Sequence, residues 1–207
     1  LQLGSLYQSS PIKDNDKKAI KIYKKLAFDN NKKAIYQLEI MAQKDKSVLA
    51  LATLAELYED CFNDIKKASS YHLKIRCLSS KESNGVTSLD WLFKNALVFD
   101  EVFYDLNELV NKLNKKELDY KFGVLAGKRH KPAISKQYIV KSANKFYLPA
   151  VNWIVKNSQN DTELMLELAS IYGKFNNPED IIKSLKIYEE LAIADNEQAF
   201  SCLETLA

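Results

Sequence analysis

Along "ALATLAELYED", Ala50–Asp60, the apolar residues Ala50, Leu54, Leu57 and Tyr58 stand at i, i+4, i+7 and i+8, and a small residue, Ala55, sits beside Leu54. That is one face of a 3.6-residue helix, with room for a second helix to approach closely. The stretch "LASIYGKFNNPEDIIKSLKIYEELA", Leu168–Ala192, carries two such stripes on either side of a polar turn. Within that turn Asn177 is a cap residue, Pro178 takes the first helical position, and Glu179 and Asp180 bring acids to the first turn. The same reading predicts helices near 16–28, 31–43, 47–60, 64–79, 86–99, 101–113, 116–127, 132–145, 148–157, 161–174, 178–194 and 196–206, with no strands and with Leu1 standing in the last turns of a further helix. Connections this short make neighbouring helices antiparallel.

The stripes recur at fixed intervals. Tyr7 precedes Ala19 by twelve residues and Tyr23 by sixteen, and Tyr172 precedes Ser184 and Tyr188 by the same two distances. Seven residues separate Ala27 from Ala34, Ala143 from Ala150 and Ala192 from Ala199. Two shorter copies, Tyr58 with Ala68 and His72, and Ala126 with Ser135, Ile139 and Ala143, lack two and three residues at one place, which marks that place as a loop. The expected organisation is a single helical-repeat domain over 1–207, part of a longer array, with units near 1–43, 47–79, 116–157 and 161–207. Residues 79–86 read as a polar link, and 86–113, where Trp91, Phe93, Phe99, Phe103 and Tyr104 crowd together, as an irregular helical hairpin.

Leu3, Gly4, Leu6, Tyr7, Asp16, Lys18 and Ala19, together with Leu168, Ala169, Ile171 and Tyr172, give the chain a pattern that resembles the Sel1-like branch of the tetratricopeptide-repeat superfamily. The glycine-rich turn between the two helices of a Sel1 unit is missing here, as are the paired cysteines of the cysteine-rich members, so the chain resembles a divergent member. The resemblance implies a right-handed α-solenoid of antiparallel hairpins that scaffolds complexes or binds a protein or peptide. It further implies a periplasmic or envelope setting, with the cytoplasm left open. The matched positions are packing positions, and no catalytic residue comes across with them.

Composition agrees with helices: 46% of the 207 residues are hydrophobic, and five Gly and four Pro are too few for a turn-rich β fold. The net charge of +3 hides a polarity, since residues 112–145 hold ten Lys or Arg against Glu117 and Asp119, while residues 157–207 hold ten acids against Lys174, Lys183 and Lys186. Within the basic stretch "GKRHKP" makes Lys128, Arg129, His130 and Lys131 the candidate partner-binding residues, facing an acidic protein segment or an anionic polysaccharide. The acidic C-terminal units against the basic unit of a second copy would give head-to-tail association. The helical spacing of Tyr120, Tyr138, Phe146 and Tyr147 reads as core and argues against nucleic acid. The tyrosines at equivalent repeat positions, Tyr7, Tyr23, Tyr58, Tyr172 and Tyr188, read as inter-helix packing.

Nothing in the chain suggests catalysis or a cofactor. Of the two histidines, His72 occupies the slot that Tyr23 and Tyr188 fill in sister copies, and His130 lies among cations that disfavour its charge. Cys61, Cys77 and Cys202 have no metal-ligand spacing and read as small apolar residues. Asn160-Asp161-Thr162 reads as a helix cap as well as a glycosylation sequon. The expected function is a non-enzymatic interaction scaffold, and the alternative is the non-catalytic superhelical part of a bacterial envelope assembly engaged in exopolysaccharide secretion or associated with peptidoglycan.

Overall fold

The structure, a computed structural model, describes residues 1–8, 15–79, 83–175 and 177–206. Among them the regular elements are thirteen α-helices: α1 (Gln2–Gln8), α2 (Asn15–Phe28), α3 (Lys32–Lys44), α4 (Val48–Asp60), α5 (Ile65–Leu78), α6 (Ser83–Asn95), α7 (Asp100–Leu113), α8 (Lys116–Lys128), α9 (Pro132–Ala143), α10 (Leu148–Asn157), α11 (Thr162–Lys174), α12 (Pro178–Ile193) and α13 (Glu197–Leu206). They pack mainly on their sequence neighbours, most closely as the pairs α8–α9, α4–α5, α11–α12 and α5–α6, then α1–α2, with α2 also reaching α4. The chain is thus all-helical, built of sequential hairpins, in keeping with a helical repeat array.

Two compact units are formed, Leu1–Leu109 and Val110–Ala207. The first is centred on Tyr23, Leu38, Met41, Leu54, Leu57 and Ile75. In the second, Ile139, Val151, Ile154, Leu164, Leu168 and Ile171 form one cluster, and Ala169, Tyr188, Leu191 and Ala199 another.

The repeat spacing has a steric origin. A Cβ placed on Gly4 of α1 would lie 2.5 Å from the Tyr23 ring of α2, and one on Gly123 of α8 would lie 2.7 Å from Ile139 Cγ1 of α9 and 3.1 Å from the Ile139 amide nitrogen. Ala169 of α11 packs in one cluster with Tyr188 of α12. In these three hairpins a small residue on the first helix thus receives the large residue from the same slot of the second. Tyr23, Tyr58 and Tyr188 are buried and Tyr7 and Tyr172 half-buried, as packing residues should be.

The helix ends explain how so few glycines suffice. α2, α8, α9 and α12 each close with a paired set of backbone bonds, for α2 Asn30 N to Ala27 O at 2.9 Å and Asn31 N to Leu26 O at 3.0 Å. This closure needs one left-handed residue, usually glycine. Asn30, Asn63, Asn114 and Asp195, at φ between 50° and 59°, take that role here with side chains that tolerate it, and Lys46, His130 and Phe146 take it without that advantage. Starts are capped as the sequence suggests: Asn177 accepts from the Asp180 amide at 2.9 Å, and Asp161 from the Leu164 amide at 3.0 Å.

Some expectations are corrected. α6 begins at Ser83 and ends at Asn95, earlier than the periodicity indicated, because the turn through Leu97 and Val98 interrupts the helix. Trp91 of this helix stacks on His72 of α5, ring centroids 4.2 Å apart, so it belongs to the α5–α6 contact. Cys61 and Cys77 are exposed, leaving only the half-buried Cys202 as a packing cysteine. Of the 79–86 link, Ser79 is buried and residues 80–82 lie outside the described residues.

Candidate functional site

The four basic residues singled out from the sequence sit together at the α8–α9 turn. Lys128 ends α8, Arg129 caps it, His130 is left-handed at φ 55°, and Lys131 precedes Pro132 at the start of α9. The turn is closed by His130 N to Gly127 O and Lys131 N to Ala126 O, each 3.0 Å. Lys128 and His130 are exposed, whereas Arg129 and Lys131 are half-buried and engaged in interactions of their own. Chain continuity brings the four side by side at the end of a hairpin.

A concavity of the second unit lies elsewhere, between α9, α11 and α13, with Tyr188 of α12 in its lining. It encloses about 620 Å³. Val140 and Leu166 supply apolar surface, and Gln137, Glu163, Glu167 and Gln198 surround it with amides and carboxylates. Lys136 crosses from α9 to Asp161 at 3.0 Å and Glu163 at 2.6 Å. Burial disfavours that ammonium's charge, but the bonds to Glu163 and Asp161 outweigh it and raise its pKa. Asp161 is held below the usual carboxylate range, chiefly by the Leu164 amide and then by Lys136. The Tyr188 hydroxyl is pushed up to about 12 by burial, followed by its neighbour Cys202. The lining thus offers hydrogen-bond donors and acceptors beside its apolar surface.

The first unit has a smaller hollow of about 330 Å³ between α3 and α5, lined by Ala42, Leu51, Tyr71, Cys77 and Leu78 with Glu39 and Lys74 at its edge. Burial, and then Glu39, raises the pKa of Tyr71. Among the described residues no group of three or more His, Cys, Asp or Glu could hold a metal ion, and no helix is long and apolar enough to cross a membrane.

No protein-family model, no curated protein and no solved structure matches the chain.

Sequence reasoning drew attention to the charged turn and passed over the groove. Lys136 lies 25 residues from Asp161 and 27 from Glu163. Such pairings have no local signature. A legible signal did exist in α9, whose less buried face carries Lys136, Gln137 and Val140 at helical spacing opposite the packed Tyr138 and Ile139.

Proposed function

We propose that this chain is a non-enzymatic interaction scaffold, a divergent Sel1-like or tetratricopeptide-like right-handed α-solenoid that binds a protein or peptide partner. The observation that carries this reading is the groove between α9, α11 and α13, where alternate helices of sequential hairpins leave an open surface with apolar floor and rim groups of both hydrogen-bonding senses. Repeat arrays bury apolar faces between neighbours and leave such concave surfaces for partners. Selection of peptides from a display library on the full chain tests it, followed by titration of the selected peptide into a Gln137→Arg/Gln198→Arg double variant, both positions being exposed. Affinity should fall at least about tenfold, a loss of about 1.4 kcal/mol. Failure to select any peptide, or equal binding by the double variant, would sink this reading.

A second reading is favoured by the contiguity of Lys128, Arg129, His130 and Lys131 at one turn: engagement of an anionic polymer by the non-catalytic part of an envelope assembly. A Lys128/Arg129/Lys131→Glu variant that loses polyuronate binding while keeping peptide binding would support it. Binding of polyuronate that the variant retains would rule that turn out.

A further inference from the structure

Three copies of one turn, each following the second helix of a hairpin, align residue for residue and share one pattern of closing backbone bonds: Asn30-Asn31 after α2, Phe146-Tyr147 after α9 and Asp195-Asn196 after α12. The first residue of each is left-handed, with φ of 59°, 57° and 59°. In the outer copies the residue types suit the geometry, because Asn and Asp tolerate that conformation. The second residue then caps the next helix, Asn31 accepting from the Lys33 and Ala34 amides at 3.1 and 3.2 Å, and Asn196 from the Ala199 amide at 2.9 Å. The middle copy abandons both devices. A bulky ring occupies the left-handed position, and Tyr147 makes no side-chain cap bond to α10.

What the middle turn has instead is exposed apolar surface. Phe146 is 46% exposed and Leu148 62% exposed. Phe146 meets Phe175, at the end of α11, edge-on at 5.1 Å between centroids.

The lysines of α9, of its C-terminal turn and of the α11 end bond to asparagines as well as to one acid. Lys174 Nζ donates to Asn144 Oδ1 at 2.6 Å, Lys145 to Asn114 Oδ1 at 2.5 Å, and Lys141 to Asn111 Oδ1 at 3.0 Å. Lys141 and Lys145 share one carboxylate, the buried Asp119, at 3.2 and 2.5 Å. An asparagine carbonyl orients an ammonium without cancelling its charge. Three cations against one anion leave an ordered positive surplus beside the exposed ring, whereas Lys136 and Lys183 of the same unit are matched to acids.

We infer that the α9–α10 turn, with Lys174 and Phe175 from the end of α11, is a docking site for an acidic peptide segment that carries an aromatic or aliphatic side chain. A carboxylate of the segment would meet Lys174, which bonds to the neutral Asn144, and its apolar side chain would pack on Phe146 and Leu148. Charge complementarity selects an anion, and the lone open ring selects a peptide over a nucleic-acid strand, which needs successive stacking faces, whereas Tyr120, Tyr147 and Phe175 are half-buried. The inference rests on the peptide-binding reading above and names a second surface for it.

The test uses the full chain and a fluorescein-labelled peptide alternating Glu and Asp with Phe and Leu, followed by anisotropy, with an otherwise identical Gln/Asn peptide as control. Phe146→Asn restores the residue type of the sister turns, so this variant should fold with an unchanged or higher melting temperature while binding at least about tenfold more weakly. Lys174→Gln, at an exposed site, should weaken binding several-fold and reduce its salt sensitivity. Equal binding of the neutral peptide, or undiminished binding of the acidic peptide by folded Phe146→Asn, overturns the site. If that undiminished binding disappears in Gln137→Arg/Gln198→Arg, the groove is the site and the scaffold reading stands without this inference. Absence of binding to the acidic peptide, while display-selected peptides still bind the groove, overturns the inference alone. Tighter capture of oligouronate or oligo(dT), lost in Phe146→Asn, overturns the assigned partner class.

Discussion

His72 shows how one residue's surroundings set a pH response. Its Nδ1 lies 3.2 Å from Ser88 Oγ, its ring stacks on Trp91, and its Nε2 is buried without a hydrogen-bond partner. Burial lowers its pKa from 6.5 to about 4. The unfolded chain therefore binds a proton between those values that the folded chain refuses, so stability is full above pH 6.5 and falls as pH drops towards 4. The loss from this group reaches at most about 3 kcal/mol. Thermal unfolding at pH 7.5 and pH 4.5 should show a larger drop for the wild type than for His72→Phe, which removes the titrating group. Parallel profiles would mean that the imidazole is hydrated in the fold. At the same scale, His130 in its left-handed position predicts that His130→Gly raises stability by about 0.5–1 kcal/mol, read from denaturant midpoints.

At the level of elements, the α8–α9 hairpin is fastened by two unlike devices. Gly123 lets Ile139 and the α9 backbone come close, with the Ile139 amide nitrogen and the Ser135 carbonyl oxygen both 3.1 Å from where a Cβ would stand. Gly123→Ala should therefore destabilise by about 1–3 kcal/mol, although alanine is the better helix former, because backbone cannot step aside as a flexible side chain can. A stabilised variant in urea unfolding would contradict this packing. Asp119 is fully buried and faces Lys141 and Lys145, whose side chains stay 32% and 29% exposed. Asp119→Asn should cost about 2–3 kcal/mol, less than a fully buried pair, because both ammonium groups retain some water. Much of these hairpins was legible beforehand, since small residues, stripes and caps act within one or two turns of chain. The salt links were not: Lys145 is 26 residues from Asp119, and the basic count of that segment concealed that two of its cations converge on one of its acids.

For the whole molecule, the charge polarity lies within the second unit, between the basic stretch 112–145 and the acidic stretch 157–207. Binding at the α9–α10 turn should therefore weaken by at least about tenfold between low salt and 0.5 M salt, since the Debye length falls from roughly 30 Å at 0.01 M to a few Å. Display-selected peptides held in the groove, where Lys136 is already matched by Asp161 and Glu163, should respond less. Anisotropy titrations at several salt concentrations separate the two surfaces.

By itself the sequence determined the helices, their hairpin order, most boundaries and the slots at which small and large residues meet, because periodicity, capping and short connections are local in the chain. It also contained the substitution of Phe146-Tyr147 for Asn30-Asn31 and Asp195-Asn196, though its meaning depends on knowing that the position is left-handed. Only the tertiary structure decided which lysines are neutralised and which keep a free charge, where the open groove lies, and that Trp91 turns to His72. These outcomes depend on side chains brought together from distant helices, and pairing across about 30 residues is set by how hairpins stack, which no local pattern encodes.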